Sequence, residues 1–319
     1  MTAETREKRR QHLGASEIAA VCGLDDFRSP IDVWLEKRGL APVWDGNEFT
    51  EWGHRFEDAI AQKYAELFGA TIRRTKTQIS PYHDWMSASP DRYVELEGGS
   101  LRGLEVKNKD SRQLIHFGEE GTDQVPDSIA MQCHWSMMVT GIREWDVAVL
   151  FGGHHFRHYR IQQDDALAKM LFDQGRSFWF DNVLAGVEPQ IDGSDSWAKR
   201  LLETYAQRTA IVRPATAEED LQIAELVSAR SEIAELEGVE ALLKNQLKNA
   251  IGPDSGILSK HARVTWNAPK DSILVDYESI AMRYLKQLTD EDRAAVLAGY
   301  TTTRKNARRF LITLPKAGK

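Results

Sequence analysis

Leu104-Glu105-Val106-Lys107 is the stretch that decides the fold, and Ser89-Pro90-Asp91 comes before it in the chain. The later stretch predicts a short buried strand, in which side chains alternate between the two faces. Its glutamate and lysine are therefore expected on one face, while the valine between them points into the core. The aspartate lies fourteen residues before the glutamate, after a strand-like segment, and a turn containing Gly98 and Gly99 returns the chain. The spacing predicts two carboxylates and an amine side by side.

Asp91, Glu105 and Lys107 together have the composition of a metal-dependent hydrolytic site. Two neighbouring carboxylates repel each other and resist ionising together unless a cation neutralises them. Oxygen ligands, few in number, with room left for water and phosphate, suit Mg²⁺ better than zinc. Lys107 in such a place would position or deprotonate the attacking water. The alternative is that the three residues are surface charges on a hairpin, so the motif alone does not decide the function.

The composition of the chain limits the classes of protein to which it can belong. Its 319 residues are enough for one large domain or two. The net charge of −7 gives no overall attraction for nucleic acid, so any contact with DNA must come from local basic clusters. The two cysteines are too few for a disulfide framework, a zinc site or an iron–sulfur cluster. With no signal peptide and no apolar run of about 20 residues, we expect a cytoplasmic protein without a membrane partner.

Helices and strands are interleaved in the first two thirds of the chain. Short helices are predicted at 16–22, with Ser16 as the N-cap, and at 29–38. Residues 49–68 carry apolar side chains at spacings of three and four, which predicts an amphipathic helix. Strands are expected near 70–79, 85–89, 92–96, 101–107, 144–151 and 155–162, and helices at 124–140 and 163–185. This order predicts an α/β core with a mixed central sheet flanked by helices.

The character of the sequence changes beyond Pro214. Residues 216–251 form a charged segment rich in Glu, Ala and Leu, which predicts a helical hairpin or a coiled-coil arm, with Gly238 as a possible break. A strand around 257–267, helices near 276–287 and 290–298, and a terminal strand Arg309–Leu314 are expected after it. We therefore predict three parts: a core domain at 1–212, a charged helical arm at 213–252 and a small α+β unit at 253–319.

Glu57 and Gln132 are the two further candidates for the site. Glu57 lies in the helix predicted at 49–68 and could supply a third metal carboxylate, or it could be an exposed surface charge. Gln132 has apolar neighbours and needs a partner if it is buried. It could hold Lys107 or a metal-bound water, or it could be a core amide bonded to the backbone. The sequence leaves both pairs of alternatives open.

A histidine-rich turn and one arginine also invite functional interpretations, of which the sequence disfavours the first and leaves the second open. Gly152-Gly153-His154-His155 with His158 has three histidines, but a hairpin turn and its strand explain them better than a zinc site does, because zinc requires a more closed ligand set. Arg112 follows the metal motif and could line a path for DNA, or it could be plain surface.

Five motifs occur in an order that is far more specific than any one of them. They are Leu13-Gly14-Ala15-Ser16-Glu17-Ile18-Ala19, Glu51-Trp52-Gly53-His54-Arg55-Phe56-Glu57, Ser87-Ala88-Ser89-Pro90-Asp91, Leu104-Glu105-Val106-Lys107 and the segment from Gln132 to Thr140. Together they resemble the lambda-type alkaline exonucleases, also called YqaJ-like viral recombinases, which belong to the restriction-endonuclease-like PD-(D/E)xK nucleases. The resemblance covers about residues 9–185 and implies a restriction-endonuclease-like core.

The resemblance implies a role for each matching residue. The residues expected to hold Mg²⁺ are Asp91, Glu105, the backbone carbonyl of Val106 and Glu57. Lys107 is expected to activate water and Gln132 to orient that chemistry. The residues expected to grip the 5′-phosphate of a DNA end are Ser16, Ser89 and an arginine seven residues before the first serine, which is Arg9, with Arg10 adjacent. The family often has a tyrosine three residues before the glutamine, and this chain has Ile129 there.

The function implied by the resemblance is Mg²⁺-dependent 5′→3′ exonuclease action on double-stranded DNA. It would leave 3′ single-strand overhangs for phage-type recombination by strand annealing, with two Mg²⁺ ions and with Mn²⁺ as a substitute. The implied partners are duplex DNA ends, a single-strand annealing recombinase and two further copies in a homotrimer. Two alternatives stay open: a structure-specific or single-strand nuclease on the same core, and a non-catalytic DNA-end-binding or recombinase-loading protein.

Overall fold

The computed structural model of this protein describes residues 3–42, 46–96, 98–207, 211–268 and 275–301. The chain divides into two compact units, Met1–Tyr205 and Ala206–Lys319. The division into three parts, with a core domain ending at residue 212, stays a prediction.

The first unit alternates helices and strands. Its strands are β1 (Leu13–Gly14), β2 (Thr71–Arg74), β3 (Gln78–Ile79), β4 (Met86–Ala88), β5 (Arg92–Glu95), β6 (Leu101–Lys109), β7 (Glu144–Phe151) and β8 (His155–Gln162). Its α-helices are α1 (Ala3–Arg10), α2 (Ile18–Val21), α3 (Pro30–Lys37), α4 (Glu48–Phe68), α5 (Asp127–Thr140), α6 (Asp165–Ser177) and α7 (Asp195–Thr204). A π-helical turn, Phe178–Leu184, continues α6 and completes the helix predicted at 163–185.

The strands of the first unit form two sheets. The larger has the order β2-β5-β6-β7-β8, with β6 and β7 parallel and the other neighbours antiparallel. Because parallel strands need a crossover connection, α5 lies between β6 and β7 in the chain. The smaller sheet has the order β1-β4-β3, with β1 parallel to β4. The predicted mixed α/β core is confirmed.

Strand β7 shows how helices cover both faces of the larger sheet. Trp145, Val147 and Val149 belong to a buried cluster that includes side chains of α5. Ala148, on the other face, packs in a separate cluster with side chains of α4. Since successive residues of a strand point to opposite faces, α4 and α5 lie on opposite sides of the sheet. This is the predicted layered arrangement, a central sheet flanked by helices.

Local sequence explains where α4 begins and ends and where β6 meets β7. The Asn47 side chain accepts a hydrogen bond from Thr50 N at the start of α4, and Gly69 ends the helix with a φ of 58°. Gly103 on β6 lies opposite Trp145, and a Cβ on this glycine would lie 2.3 Å from the indole ring. A larger residue would therefore push the two central strands apart.

The prediction that Ser16 caps a helix is wrong. Ala15–Glu17 forms a 3₁₀ turn, α2 begins only at Ile18, and Ser16 lies within the turn with its side chain exposed. The turn is started instead by Glu17, whose carboxylate accepts a hydrogen bond of 2.8 Å from Gly14 N. Ser16 is thereby left without a capping function.

The second unit contains α8 (Ala217–Ile251), a hairpin of β9 (Gly256–Leu258) and β10 (Arg263–Thr265), α9 (Tyr277–Leu285) and α10 (Asp290–Tyr300). Helix α8 continues through Gly238, so the predicted break is wrong. The strand expected at 257–267 is two short antiparallel strands. The strand predicted at Arg309–Leu314 lies outside the described residues. No helix within the described ranges has both the length and the apolar character that a membrane crossing requires.

Candidate active site

Strand β6 presents Glu105 and Lys107 on the face of the sheet that α5 covers. Lys107 Nζ lies 2.6 Å from Glu105 Oε1, which confirms the predicted shared face. The Glu105 side chain is 4% exposed and that of Lys107 is 25% exposed, while Val106 packs with the α4 cluster on the opposite face. Glu105 is therefore enclosed, and Lys107 is mostly buried beside it.

Asp91 lies where the chain crosses from the smaller sheet to the larger one. It follows β4 and immediately precedes β5, whose first residue, Arg92, is opposite Leu104 of β6. The next position in this antiparallel register places Asp91 beside Glu105. The Asp91 Oδ2 atom accepts a hydrogen bond of 2.7 Å from Val106 N. The predicted proximity of the two carboxylates is thus a consequence of strand register.

Gln132 reaches the same place from α5. Its Nε2 donates a hydrogen bond of 2.7 Å to Glu105 Oε1, and its Oε1 accepts one of 3.1 Å from Lys107 Nζ. The sequence left open whether this side chain binds site residues or the backbone, and in the structure it binds site residues. Because the amide donates to the acid and accepts from the base, it fixes the relative orientation of both.

The charges of the site are not balanced. Burial and the neighbouring Glu105 raise the pKa of Asp91 above its ordinary value. Burial alone would lower the pKa of Lys107, but its interaction with Glu105 outweighs this and holds the pKa above the usual range. Two carboxylates thus share one ammonium group, and ionisation of both leaves a negative charge in a mostly buried place.

The donor set fits a hard divalent cation. Two adjacent carboxylates with an excess of negative charge supply oxygen ligands of the kind that Mg²⁺ prefers. In the part of the chain that the structure describes, no group of three or more His, Cys, Asp or Glu side chains is arranged to hold a metal. Any ion bound here would therefore keep water or substrate oxygens among its ligands.

Glu57 is paired with an arginine, and it lies close enough to Asp91 that, in addition to burial and Glu105, its charge helps to raise the pKa of that carboxyl group. It lies on α4 and is ion-paired with Arg92, at 2.6 Å from Nη1 to Oε1. Arg92 is 3% exposed and also contacts Asp58 and the carbonyl of Asp91. Arg92 was not predicted from the sequence, although a signal existed. Because Arg92 directly follows Asp91, alternation along the strand predicts that the two side chains lie on opposite faces of the sheet. A buried arginine requires acidic partners.

The two serines expected to bind a 5′-phosphate follow the ends of neighbouring strands. Gly14 of β1 lies opposite Ser87 of β4 in a parallel pair. Ser16 and Ser89 each come two residues later, so both hydroxyls follow the carboxyl ends of adjacent strands. Ser89 Oγ lies 2.8 Å from Thr77 Oγ1. The two serines and Asp91 therefore follow one edge of the smaller sheet.

A buried ion pair, which sequence analysis missed, supports this edge. Lys37 Nζ lies 2.7 Å from Glu17 Oε2 and donates a hydrogen bond of 2.7 Å to the carbonyl of Arg9. Arg9 Nη2 lies 3.6 Å from Glu17 Oε1, whereas Arg10 is paired with Glu7. Of the two arginines considered, Arg9 is the one beside the turn that carries the first serine.

Arg112 and the histidines are not brought to the site. Arg112 is exposed and its guanidinium is held by Asp110, two residues before it, at 2.9 Å. His154 Nδ1 lies 2.9 Å from the carbonyl of Gly152, and His158 Nδ1 lies 2.9 Å from Glu120 Oε1. These contacts agree with the interpretation of the histidines as turn and strand residues.

Comparison with known proteins identifies the family. The profile of the YqaJ-like viral recombinase domain matches residues 6–143. The uncharacterized protein YqaJ of Bacillus subtilis (strain 168) is 30% identical over 249 residues, which are 76% of this chain and 76% of that protein. This chain belongs to the YqaJ-like viral recombinase family. The resemblance inferred from the five ordered motifs is therefore confirmed.

More distant relatives of this YqaJ-like chain are also found. The uncharacterized protein R354 of Acanthamoeba polyphaga mimivirus is 25% identical over 150 residues, which are 45% of this chain and 27% of that protein. Among solved structures, an alkaline exonuclease from Laribacter hongkongensis superposes with a TM-score of 0.47 and 18% identity. That alignment covers 63% of this chain and 99% of the exonuclease.

Proposed function

We propose that this chain is a Mg²⁺-dependent 5′→3′ exonuclease of double-stranded DNA, which leaves 3′ overhangs for recombination by strand annealing. The observation that carries the proposal is the site formed by Asp91, Glu105, Lys107 and Gln132. A buried and a half-buried carboxylate share one ammonium group there, and an amide links Glu105 to Lys107. A purely DNA-binding protein has no use for this combination, which argues against the non-catalytic alternative.

Asp91, Glu105 and the carbonyl of Val106 are the groups that would hold Mg²⁺, with Mn²⁺ as a substitute. A divalent cation at such a place neutralises charge on a phosphate and lowers the pKa of bound water. The excess negative charge of the two carboxylates provides the attraction. The coordination of the ion by further ligands is left to water and substrate.

Lys107 would accept the proton of the attacking water, and Gln132 would orient Lys107. The pKa of Lys107 is raised by its pairing with Glu105, so the free amine becomes available only when that pairing weakens and the medium is alkaline. Gln132 holds the Nζ atom in a fixed direction through its own carbonyl oxygen. Both features agree with a nuclease of the alkaline exonuclease type.

Ser16, Ser89 and Arg9 would bind the terminal 5′-phosphate. Their positions along one edge, with Asp91 two residues after Ser89, support hydrolysis that starts at a 5′ end. The remaining parts of the proposal rest on the family resemblance. They are a homotrimer and a single-strand annealing recombinase as partner. The cytoplasmic location, also proposed, rests on the sequence composition.

The proposal is tested by following label release from each end of a linear duplex in Mg²⁺, with EDTA as the control. We expect release from the 5′ end only, and faster digestion of a 5′-phosphorylated duplex than of a 5′-hydroxyl duplex. Arg9→Ala should remove that preference, whereas Arg10→Ala, its matched control, should keep it. Release from the 3′ end first would contradict the polarity, and digestion of single strands alone would favour the single-strand nuclease.

A further inference from the structure

Arg92 binds Glu57, the carboxylate that was the candidate for a third metal ligand. Its guanidinium is buried, and its partners are Glu57, Asp58 and the carbonyl of Asp91. The Glu57 contact measures 2.6 Å from Nη1 to Oε1. Arginine cannot lose its proton in proteins, so its charge is permanent and its buried guanidinium depends on these partners.

The register of the sheet explains why Glu57 meets Arg92 and not Glu105. Arg92 lies directly opposite Leu104, and Leu104 packs in the cluster formed with α4. Residues that face each other across a strand pair share one face of the sheet. Arg92 therefore points toward α4 and its acidic residues. Glu105, the next residue after Leu104, points to the face that α5 covers.

The two faces differ in their charge balance. On the α4 face, Glu57 and Asp58 are matched by Arg92 and by Arg74, which contacts Asp58. On the α5 face, Asp91 and Glu105 have Lys107 as their cationic neighbour. Of these two described groups, it is the one on the α5 face that has an excess of negative charge when all of its acids are ionised, and such an excess attracts a divalent cation.

We infer that Arg92 is a built-in cation that neutralises Glu57, so that this chain holds a single divalent ion, at Asp91 and Glu105. This inference rests on the proposed function. Glu57 acts as a positioning residue: through Arg92 it connects α4 to the backbone of Asp91 and keeps the aspartate in place. The chain thus departs from the two-ion site that its family resemblance implies.

The number of bound ions tests the inference directly. Metal-free protein is titrated with Mn²⁺, with and without the product dAMP, and bound ions per chain are counted from the loss of the free Mn²⁺ signal in electron paramagnetic resonance. We expect one ion in the wild type, none in Glu105→Gln, and one in Glu57→Gln. In Glu57→Gln the Kd should rise about tenfold, as for a residue that acts through a metal ligand.

Asp58→Asn is the matched control: Asp58 also contacts Arg92, but it is more exposed than Glu57 and is held by Arg74 as well, so its loss should leave both the ion count and the Kd unchanged. Two ions in the wild type, one of them lost in Glu57→Gln, would overturn the inference and leave the proposed nuclease intact. Absence of Mn²⁺ binding in the wild type would instead overturn the proposed function itself. The wild-type count decides between these outcomes even if a variant fails to fold.

Discussion

Two charge clusters in the first unit are each built around a buried glutamate and differ in charge balance. The end cluster consists of Arg9, Glu17 and Lys37, in which one carboxylate meets two cations. The sheet cluster consists of Asp91, Glu105 and Lys107, in which two carboxylates meet one cation.

The pKa values of the two clusters shift in opposite directions for this reason. Burial alone would raise the pKa of Glu17, but Lys37 and Arg9 hold it below its ordinary value. The pKa of Asp91 is raised, because burial and Glu105 act in the same sense. Burial of ionic groups is costly unless the charges are paired. A cluster that satisfies its own charges is therefore a structural support, and one that does not is a place for an external cation.

The largest effect is expected from Asp91→Asn. Asparagine can still accept the Val106 N–H, but it removes one of the two charges that would hold the metal. Hydrolysis of duplex DNA should fall by at least about 10³-fold, the upper scale for loss of one group that stabilises the transition state. The free energy of unfolding in EDTA should stay equal or rise, because a buried repulsion is removed.

Activity assays and urea unfolding on the same preparation check this prediction. Glu51→Gln, an exposed change in α4, serves as the control for general effects of an acid-to-amide substitution. Normal digestion by Asp91→Asn would show that the sheet cluster is not the hydrolytic site. A loss of stability would show that the charges of the sheet cluster are already compensated, as those of the end cluster are.

The next largest effect concerns the end cluster. Lys37→Met leaves the fully buried carboxylate of Glu17 without its main partner. Breaking a buried ion pair in this way costs about 3–5 kcal/mol, which urea unfolding should show as a loss of stability. The double variant Glu17→Gln with Lys37→Met removes both charges and should recover most of that loss. If the free energy of unfolding of the single variant falls by less than about 1 kcal/mol, this pair contributes no more than a surface ion pair does.

The sequence predicts the sheet cluster better than the end cluster, and the reason is the range of the interactions. Alternation along β6 is a local rule, and it places Glu105 and Lys107 together. The pairing of Glu17 with Lys37 joins segments twenty residues apart, and neither residue type nor spacing indicates it. The contact between Arg92 and Glu57 depends on which helix covers which face of the sheet, which is a tertiary property.

Helix boundaries fail for a similar reason. Ser16 has the residue type of an N-cap, but Glu17 accepts from Gly14 N and starts a 3₁₀ turn one residue earlier. Gly238 has the residue type of a helix break, yet an interior glycine costs only about 1 kcal/mol. The 35 residues of α8 provide enough neighbouring helical hydrogen bonds to continue through it. At both positions the surrounding structure outweighs the conformational preference of the single residue.

The smallest expected effect is a difference in pH dependence between the clusters. A carboxyl group whose pKa is raised on folding stabilises the protein most when protonated, so the contribution of Asp91 is lost as pH rises above its ordinary value of 3.8. A carboxyl group whose pKa is lowered does the reverse, so the contribution of Glu17 is lost as pH falls below 4.5. Each slope is at most about 1.4 kcal/mol per pH unit for one group.

Unfolding in urea without metal, measured from about pH 4 to about pH 9 for the wild type, Asp91→Asn and Glu17→Gln, separates the two contributions. Differences from the wild type are used because the many other acids of the chain titrate equally in all three proteins. Asp91→Asn should gain stability relative to the wild type as pH rises, because Glu105, Lys107 and Glu57 then face a neutral amide. Glu17→Gln should be least harmful at the acid end, where the wild-type carboxylate begins to take up a proton. Parallel curves for the two variants would mean that the clusters do not differ in charge balance, and the distinction between a structural support and a cation site would fail with them.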